Sequence, residues 1–111
     1  MSRDVSVHRF SRVYASVGDI PGDEQCLPLG TQAEVRSAIS RFFPGTDWRE
    51  PAWGRYSSAD GSIEFNMGEA EPSNGFMLHI RASGEVVASI LALCQEHGWQ
   101  AIDVSRVAFL E

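Results

Sequence analysis

Alternation of hydrophobic and polar positions is the first regularity of this chain, and it predicts β-strands. Residues 4–10 set Val5 and Val7 against polar neighbours, which is the period of a strand with one buried face. The same pattern extends toward residue 14, and Asp60-Gly61 is a hairpin signal. Further strands are predicted at 53–56, 62–67, 76–81 and 99–104, and a short tail at 107–110 adds an edge strand or packs on the core.

Two segments change to the helical period. Thr31 begins the first helix, because Thr31-Gln32-Ala33-Glu34 is a capping box that satisfies two backbone N–H groups, and Pro44-Gly45 ends it. The second helix is predicted to begin at the cap residue Ser83 and to end at His97-Gly98. The apolar stripes predicted to be buried are Val35, Ala38, Ile39, Phe42 and Phe43 in the first helix, and Val86, Val87, Ile90, Leu91 and Cys94 in the second.

The order of these elements, β-α-β-β-β-α-β, predicts one α+β domain over residues 1–111. Both helices are apolar on one side only, so we expect a two-layer sandwich with both helices on one face of the sheet. The sheet is expected to be mostly antiparallel, with four or five strands and a split β-α-β connection. Residues 16–30 are rich in Gly, Pro and Asp, and they are predicted to form a loop that is the best candidate for a mobile segment.

Period-two geometry places a group of polar side chains on the other, open face of this sheet. If Phe65 and Leu78 face the helices, their polar neighbours share the opposite face within cross-strand reach. Such a face can bind a polar ligand or a partner's loop, or carry acid–base chemistry with His79 as the titrating group and Glu64 as its orienter. The plain alternative is a solvated face with ordinary cross-strand pairs. The candidate ligand- or partner-binding residues are Glu64, Asn66, His79, Arg81, Trp53, Trp99 and Asp103.

The charge of the chain narrows the classes of partner. The net charge is −6, and all nine basic residues are arginines scattered along the sequence. Nucleic-acid binders usually cluster positive charge, so DNA and RNA are not expected as partners. An acidic surface instead favours encounter with a basic protein. The longest apolar run, residues 86–94, is about half the length of a membrane span, so no membrane insertion is expected.

The motifs of several chemistries are missing from the sequence. There is no G-x-S-x-G elbow and no glycine-rich phosphate loop with a lysine, and the three histidines lack the spacing of a metal-binding helix. We therefore predict no catalytic residue, no metal and no cofactor. Cys26 and Cys94 are expected to be reduced thiols in a cytoplasmic protein, and the alternative is a disulfide in an oxidising compartment.

Five segments within the C-terminal two-thirds of the chain carry a resemblance: 51–54 (PAWG), 61–68 (GSIEFNMG), 75–81 (GFMLHIR), 98–103 (GWQAID) and 109–110. In these segments the chain resembles a family of small uncharacterised bacterial α+β proteins. That group carries no assigned activity, so the resemblance implies no catalytic residue. Some acidic proteins of this size are immunity proteins that neutralise a toxin, which is an analogy of size and charge alone.

These observations together favour a non-enzymatic cytosolic protein-interaction domain. Its expected partner is another protein or a second copy, through the open face or an edge strand, and an immunity-like neutraliser of a basic partner is a variant of the same hypothesis. The alternative is a small polar-ligand site or an acid–base enzyme site on the open face.

Overall fold

The structure, a computed structural model, describes residues 3–82 and 84–111, which form seven strands and two α-helices. The long segment before the first helix contains one turn of 3-10 helix, Val17–Asp19, and is otherwise irregular, as the sequence predicts. In chain order the elements are β1 (Arg3–His8), α1 (Gln32–Phe42), β2 (Asp47–Glu50), β3 (Trp53–Ser58), β4 (Gly61–Asn66), β5 (Phe76–Ala82), α2 (Gly84–His97), β6 (Gln100–Asp103) and β7 (Ala108–Phe109).

All seven strands belong to one antiparallel sheet with the order β2-β3-β4-β5-β1-β6-β7. Because β1 lies between β5 and β6, the unit β5-α2-β6 is a split β-α-β connection. The α+β class and the antiparallel sheet are confirmed. The predicted number of four or five strands is wrong, and the strand order along the chain differs because β2 precedes the three-strand meander and β7 follows β6.

Strand β2 was not predicted from the sequence, for a physical reason. Its four residues, Asp-Trp-Arg-Glu, contain one apolar side chain and so show no alternation. Its pairing with β3 is also irregular between Asp47 and Glu50. Edge pairing with β3, rather than its own pattern, makes this segment a strand. The predicted continuation of β1 toward residue 14 is wrong, since only an isolated bridge joins Arg9 to Leu27 beyond His8.

The helix ends follow the capping chemistry of the sequence. The Thr31 hydroxyl accepts a hydrogen bond from the Glu34 backbone N–H at 3.1 Å, and the Glu34 carboxylate accepts one from the Thr31 N–H at 2.9 Å. Helix α2 ends at His97, and Gly98 follows with a φ of 71°, where glycine carries no steric cost. The predicted cap Ser83 lies outside the described residues. Neither helix combines the length and hydrophobicity needed to cross a membrane.

Both helices contribute to one hydrophobic core with one face of the sheet, which we call the covered face; the other is the open face. The stripe of α2 differs from the prediction at one position, because Leu93 is fully buried whereas Leu91 is 37% exposed. Leu93 lies seven residues after Val86 and therefore continues its stripe. The strand residues buried on the covered face include Val5, Val7, Ile63, Phe65, Phe76, Leu78, Ile80 and Ala101.

Candidate functional site

The open face carries two adjacent rows of side chains that run across the strands. Both rows follow from the register, because directly opposed residues on neighbouring strands point to the same face. The charged row consists of Asp47 on β2, Arg55 on β3, Glu64 on β4, His79 on β5 and Asp4 on β1. The mixed row consists of Glu50, Trp53, Asn66, Met77, Ser6 and Ile102.

His79 is the best-connected residue of the charged row. Its Nδ1 lies 2.8 Å from a carboxylate oxygen of Asp4, its neighbour on β1. A carboxylate only accepts hydrogen bonds, so Nδ1 carries the proton and Nε2 remains for another partner. Trp53 reaches over β4 to stack on the imidazole, with ring centroids 5.7 Å apart and an interplanar angle of 24°. The predicted orienter Glu64 is directly opposite His79, but the residue that contacts the imidazole nitrogen is Asp4.

The predicted polar quartet lies on one face of the sheet. Glu64 is opposite His79, Asn66 is opposite Met77, and Arg81 is opposite Ser62 one position beyond the charged row. Within the described part of the chain, Glu64 and Arg81 form no ion pair. Asn66 accepts a hydrogen bond from the Gly68 backbone N–H at 3.3 Å, which stabilises the end of β4. Glu64 and Arg81 are therefore the members of the quartet whose charges are available to a partner.

The predicted placement of Trp99 and Asp103 on the open face is wrong. Asp103 is opposite Val5 on the covered face and is 1% exposed, and Trp99 is 5% exposed and stacks on His97. Alternation along β6 places either Ile102 or Asp103 on the covered face. The apolar character of Ile102 suggested that Ile102 lies there and that Asp103 lies on the open face. In the structure, Ile102 is half-buried on the open face, opposite Ser6.

Asp103 holds together β1 and the end of β6. Its carboxylate accepts a hydrogen bond from the Arg3 guanidinium at 3.0 Å and another from the Ser105 hydroxyl at 2.9 Å. Burial by itself would raise the pKa of this carboxyl, but the hydrogen bonds and charge of Arg3, with the Ser105 hydroxyl, outweigh burial and lower the pKa below its ordinary value. Asp103 is thus a structural carboxylate, held ionised by its partners.

Cys26 and Cys94 are not joined by a disulfide: Cys26 is exposed and Cys94 is buried. Burial raises the pKa of Cys94 to about 12. Cys26 is exposed, and its Sγ lies 3.6 Å from Nδ1 of His8. Burial lowers the pKa of His8, against a raising effect of the Asn74 backbone. Among the residues that the structure describes, no three His, Cys, Asp or Glu side chains form a metal-binding group.

Sequence reasoning missed Asp4 and Arg55 as members of the face, as well as the contact between His8 and Cys26. Asp4 is at the start of β1, and only the register of β1 with β5 brings it next to His79. Arg55 lies in the short predicted strand, but its place in the charged row depends on pairing with β2 and β4. The polar character of these residues was the only available signal, and it did not specify their neighbours.

Comparison with known proteins assigns no role to the open face, because no protein-family model, curated protein or solved structure matches this chain. The resemblance of the C-terminal two-thirds to small bacterial proteins stays a prediction. The face must therefore be interpreted from its own side chains.

Proposed function

We propose that this protein is a non-enzymatic interaction domain that binds a second copy of itself through the open face. The observation that carries the proposal is the order of charges in the charged row. Moving from β2 toward β1, that row reads acidic, basic, acidic, imidazole, acidic. A row of alternating charge can pair with a reversed copy of itself, which is the requirement of a two-fold symmetric interface.

A specific two-fold arrangement satisfies these charges. An axis in the interface plane, parallel to the strands and between β3 and β4, reverses the row of the second copy. Arg55 then lies over Glu64 of the second copy, and Asp47 lies over its His79. Each contact occurs twice because the interface is symmetric. Neither Arg55 nor Glu64 forms an ion pair within the described chain, so both charges are available for this pairing.

The mixed row supplies the apolar part of the same surface. Trp53 on β3 and Met77 on β5 are half-buried on the open face within the strands that overlap, and Trp and Met are among the residue types enriched at interfaces. The overlapping strands β2 to β5 are 4, 6, 6 and 7 residues long, which gives about 360 Å² of flat area before side-chain relief is counted. A standard interface buries about 800 Å² per partner, so we expect a small interface and a weak dimer.

A second copy fits this face better than a basic partner does. The chain is acidic overall, but the charged row and its neighbours also include Arg49, Arg55 and Arg81. A surface of mixed sign matches a surface of mixed sign, whereas an immunity-like neutraliser of a basic protein would present mainly carboxylates. The cytoplasmic location belongs to the same proposal and is supported by the two free thiols.

Charge reversal tests this proposal. Arg55→Glu and Glu64→Arg, each alone, should lower the dimer affinity by at least about tenfold, because each places like charges across the interface twice. The double variant Arg55→Glu/Glu64→Arg should restore the dimer. Sedimentation equilibrium measures the affinity, and urea unfolding of each variant separates loss of the dimer from loss of the fold. Two single variants that dimerise like the wild type would refute the proposed surface.

The contact between His79 and Asp4 favours one alternative function, a small polar-ligand site or an acid–base site. Asp4 fixes the imidazole through Nδ1 and leaves Nε2 for a ligand, and Trp53 covers one ring face. This alternative predicts that acetate or inorganic phosphate shifts the His79 ring resonances in a saturable way. The shift should be absent in Asp4→Asn. Linear, non-saturating shifts in the wild type would remove this alternative and leave the dimer proposal untouched.

A further inference from the structure

A cavity of about 470 Å³ opens at one end of the sheet beside the mixed row, and Asn66 and Met77 of that row line it. Gly68 and Gly75 line it and contribute no side chain, which leaves space between the neighbouring elements. A Cβ atom on Gly75 would approach Nδ1 of His8 to 2.8 Å, so the imidazole edge lies directly against this glycine. The cavity is therefore built around the nitrogen edge of His8.

Cys26 meets His8 at this cavity. Its Sγ lies 3.6 Å from the imidazole Nδ1, although 18 residues separate the two in sequence. Metal bonds of about 2.0 Å to nitrogen and about 2.3 Å to sulfur, at trigonal or tetrahedral angles, place the two donor atoms about 3.5–3.7 Å apart. The pair therefore has the spacing of two ligands of one metal ion. Both side chains line the same cavity.

Met77 is the third soft donor. It lines the cavity and lies on β5, two residues and about 6.6 Å of extended chain after Gly75. Its half-buried side chain has three rotatable bonds, which allow the thioether to turn toward the His8 and Cys26 pair. Met67 also lines the cavity, but it is 2% exposed and is part of the hydrophobic core.

We propose that His8, Cys26 and Met77 form a binding site for a soft monovalent metal ion, Cu(I). Thiolate and thioether ligands select Cu(I) over hard cations, and an imidazole completes a set that contains no carboxylate. Binding replaces the thiol proton of Cys26 by the metal, so one proton is released for each Cu(I) bound, and no electron is transferred.

Competition for Cu(I) against bicinchoninate under anaerobic conditions tests the site. The wild type should bind one Cu(I) per chain. Cys26→Ser should reduce the affinity by at least about 100-fold, because it removes the anionic ligand, and Met77→Leu should reduce it by about tenfold. The matched control is Cys94→Ala, which removes the buried thiol and keeps Cys26, and it should bind like the wild type.

Each outcome decides for or against the proposal. A shift of the His8 ring resonances on addition of one equivalent of Cu(I) would support it, with a heteronuclear spectrum of each variant verifying the fold. Equal affinity of wild type and Cys26→Ser would overturn it, as would loss of binding in a folded Cys94→Ala. Unchanged affinity in Met77→Leu would overturn the three-donor site. Repeating the titration in Arg55→Glu separates this result from self-association.

Discussion

The same strands give the sheet two faces that differ in burial and in charge. On the covered face, Ile63, Phe65 and Leu78 are fully buried under the helices. On the open face, their neighbours Glu64 and His79 are opposite each other and only half-buried. The covered face owes its composition to burial of apolar area, which is non-directional, while the open face depends on which charge is next to which.

Each face also carries side chains whose polarity differs from that of the rest of the face. Asp103 is a carboxylate on the covered face, and it is tolerated because Arg3 and Ser105 satisfy it. Trp53 and Met77 are large apolar residues on the open face, and the described chain leaves them half-exposed. The partners of the buried charge explain its presence, whereas the proposed interface rests on the half-exposed apolar residues and on the charges of Arg55 and Glu64, which form no ion pair within the described chain.

The largest contrast between the faces is expected from truncation of their side chains. Phe65→Ala should lower the free energy of unfolding by about 3–5 kcal/mol, because it leaves a cavity in the core. Met77→Ala, on the open face, should lower it by less than about 1 kcal/mol in the monomer. Urea denaturation at low protein concentration measures both values. Similar losses for the two variants would contradict the division into a covered and an open face.

A smaller effect is expected at the exception on the covered face. Asp103→Asn should cost about 1–3 kcal/mol at pH 7, because it removes a charged hydrogen-bond partner of Arg3. The folded-state pKa of Asp103 lies below its ordinary value, so its stabilising effect is present above about pH 4 and is lost as the pH falls through the folded pKa.

The difference in unfolding free energy between wild type and Asp103→Asn should therefore shrink below about pH 4. Urea unfolding at pH 7, 4 and 3 measures this difference. A difference that stays constant over this range would show that the ion pair with Arg3 does not hold the carboxyl ionised.

The smallest effect is expected for the exposed pair on the open face. Asp4→Asn removes one partner of the contact with His79, whose side chain is 33% exposed. Exposed ion pairs contribute about 0–1 kcal/mol, so the free energy of unfolding of the monomer should change by less than about 1 kcal/mol. A loss comparable with that of Asp103→Asn would mean that the open face contributes to the fold in the same way as the covered face.

The sequence was sufficient for what depends on local pattern. The capping box at Thr31 and the alternation around Phe65 and Leu78 appear in the structure as predicted. The sequence was insufficient for features that depend on how strands pair with one another. The phase of β6 was wrong because Ile102 and Asp103 each broke the expected polarity, and β2 was missed because one tryptophan among three charged residues shows no period.

The candidate site likewise has a part that local pattern predicts and a part that it does not predict. The shared face of Glu64, Asn66, His79 and Arg81 follows from period-two geometry within β4 and β5. The contact of His79 with Asp4 and the contact of His8 with Cys26 join segments that are distant in sequence. Such contacts depend on register and loop course, which no local pattern specifies.

The central claim is that the open face binds a second copy of the chain, and the molar mass in solution tests it most directly. Sedimentation equilibrium of the wild type over a hundredfold range of concentration should show a monomer–dimer equilibrium. Arg55→Glu should shift that equilibrium to the monomer, and the additional change Glu64→Arg should shift it back. A wild type that remains monomeric over the whole range, or a dimer that both single reversals leave intact, would contradict the account.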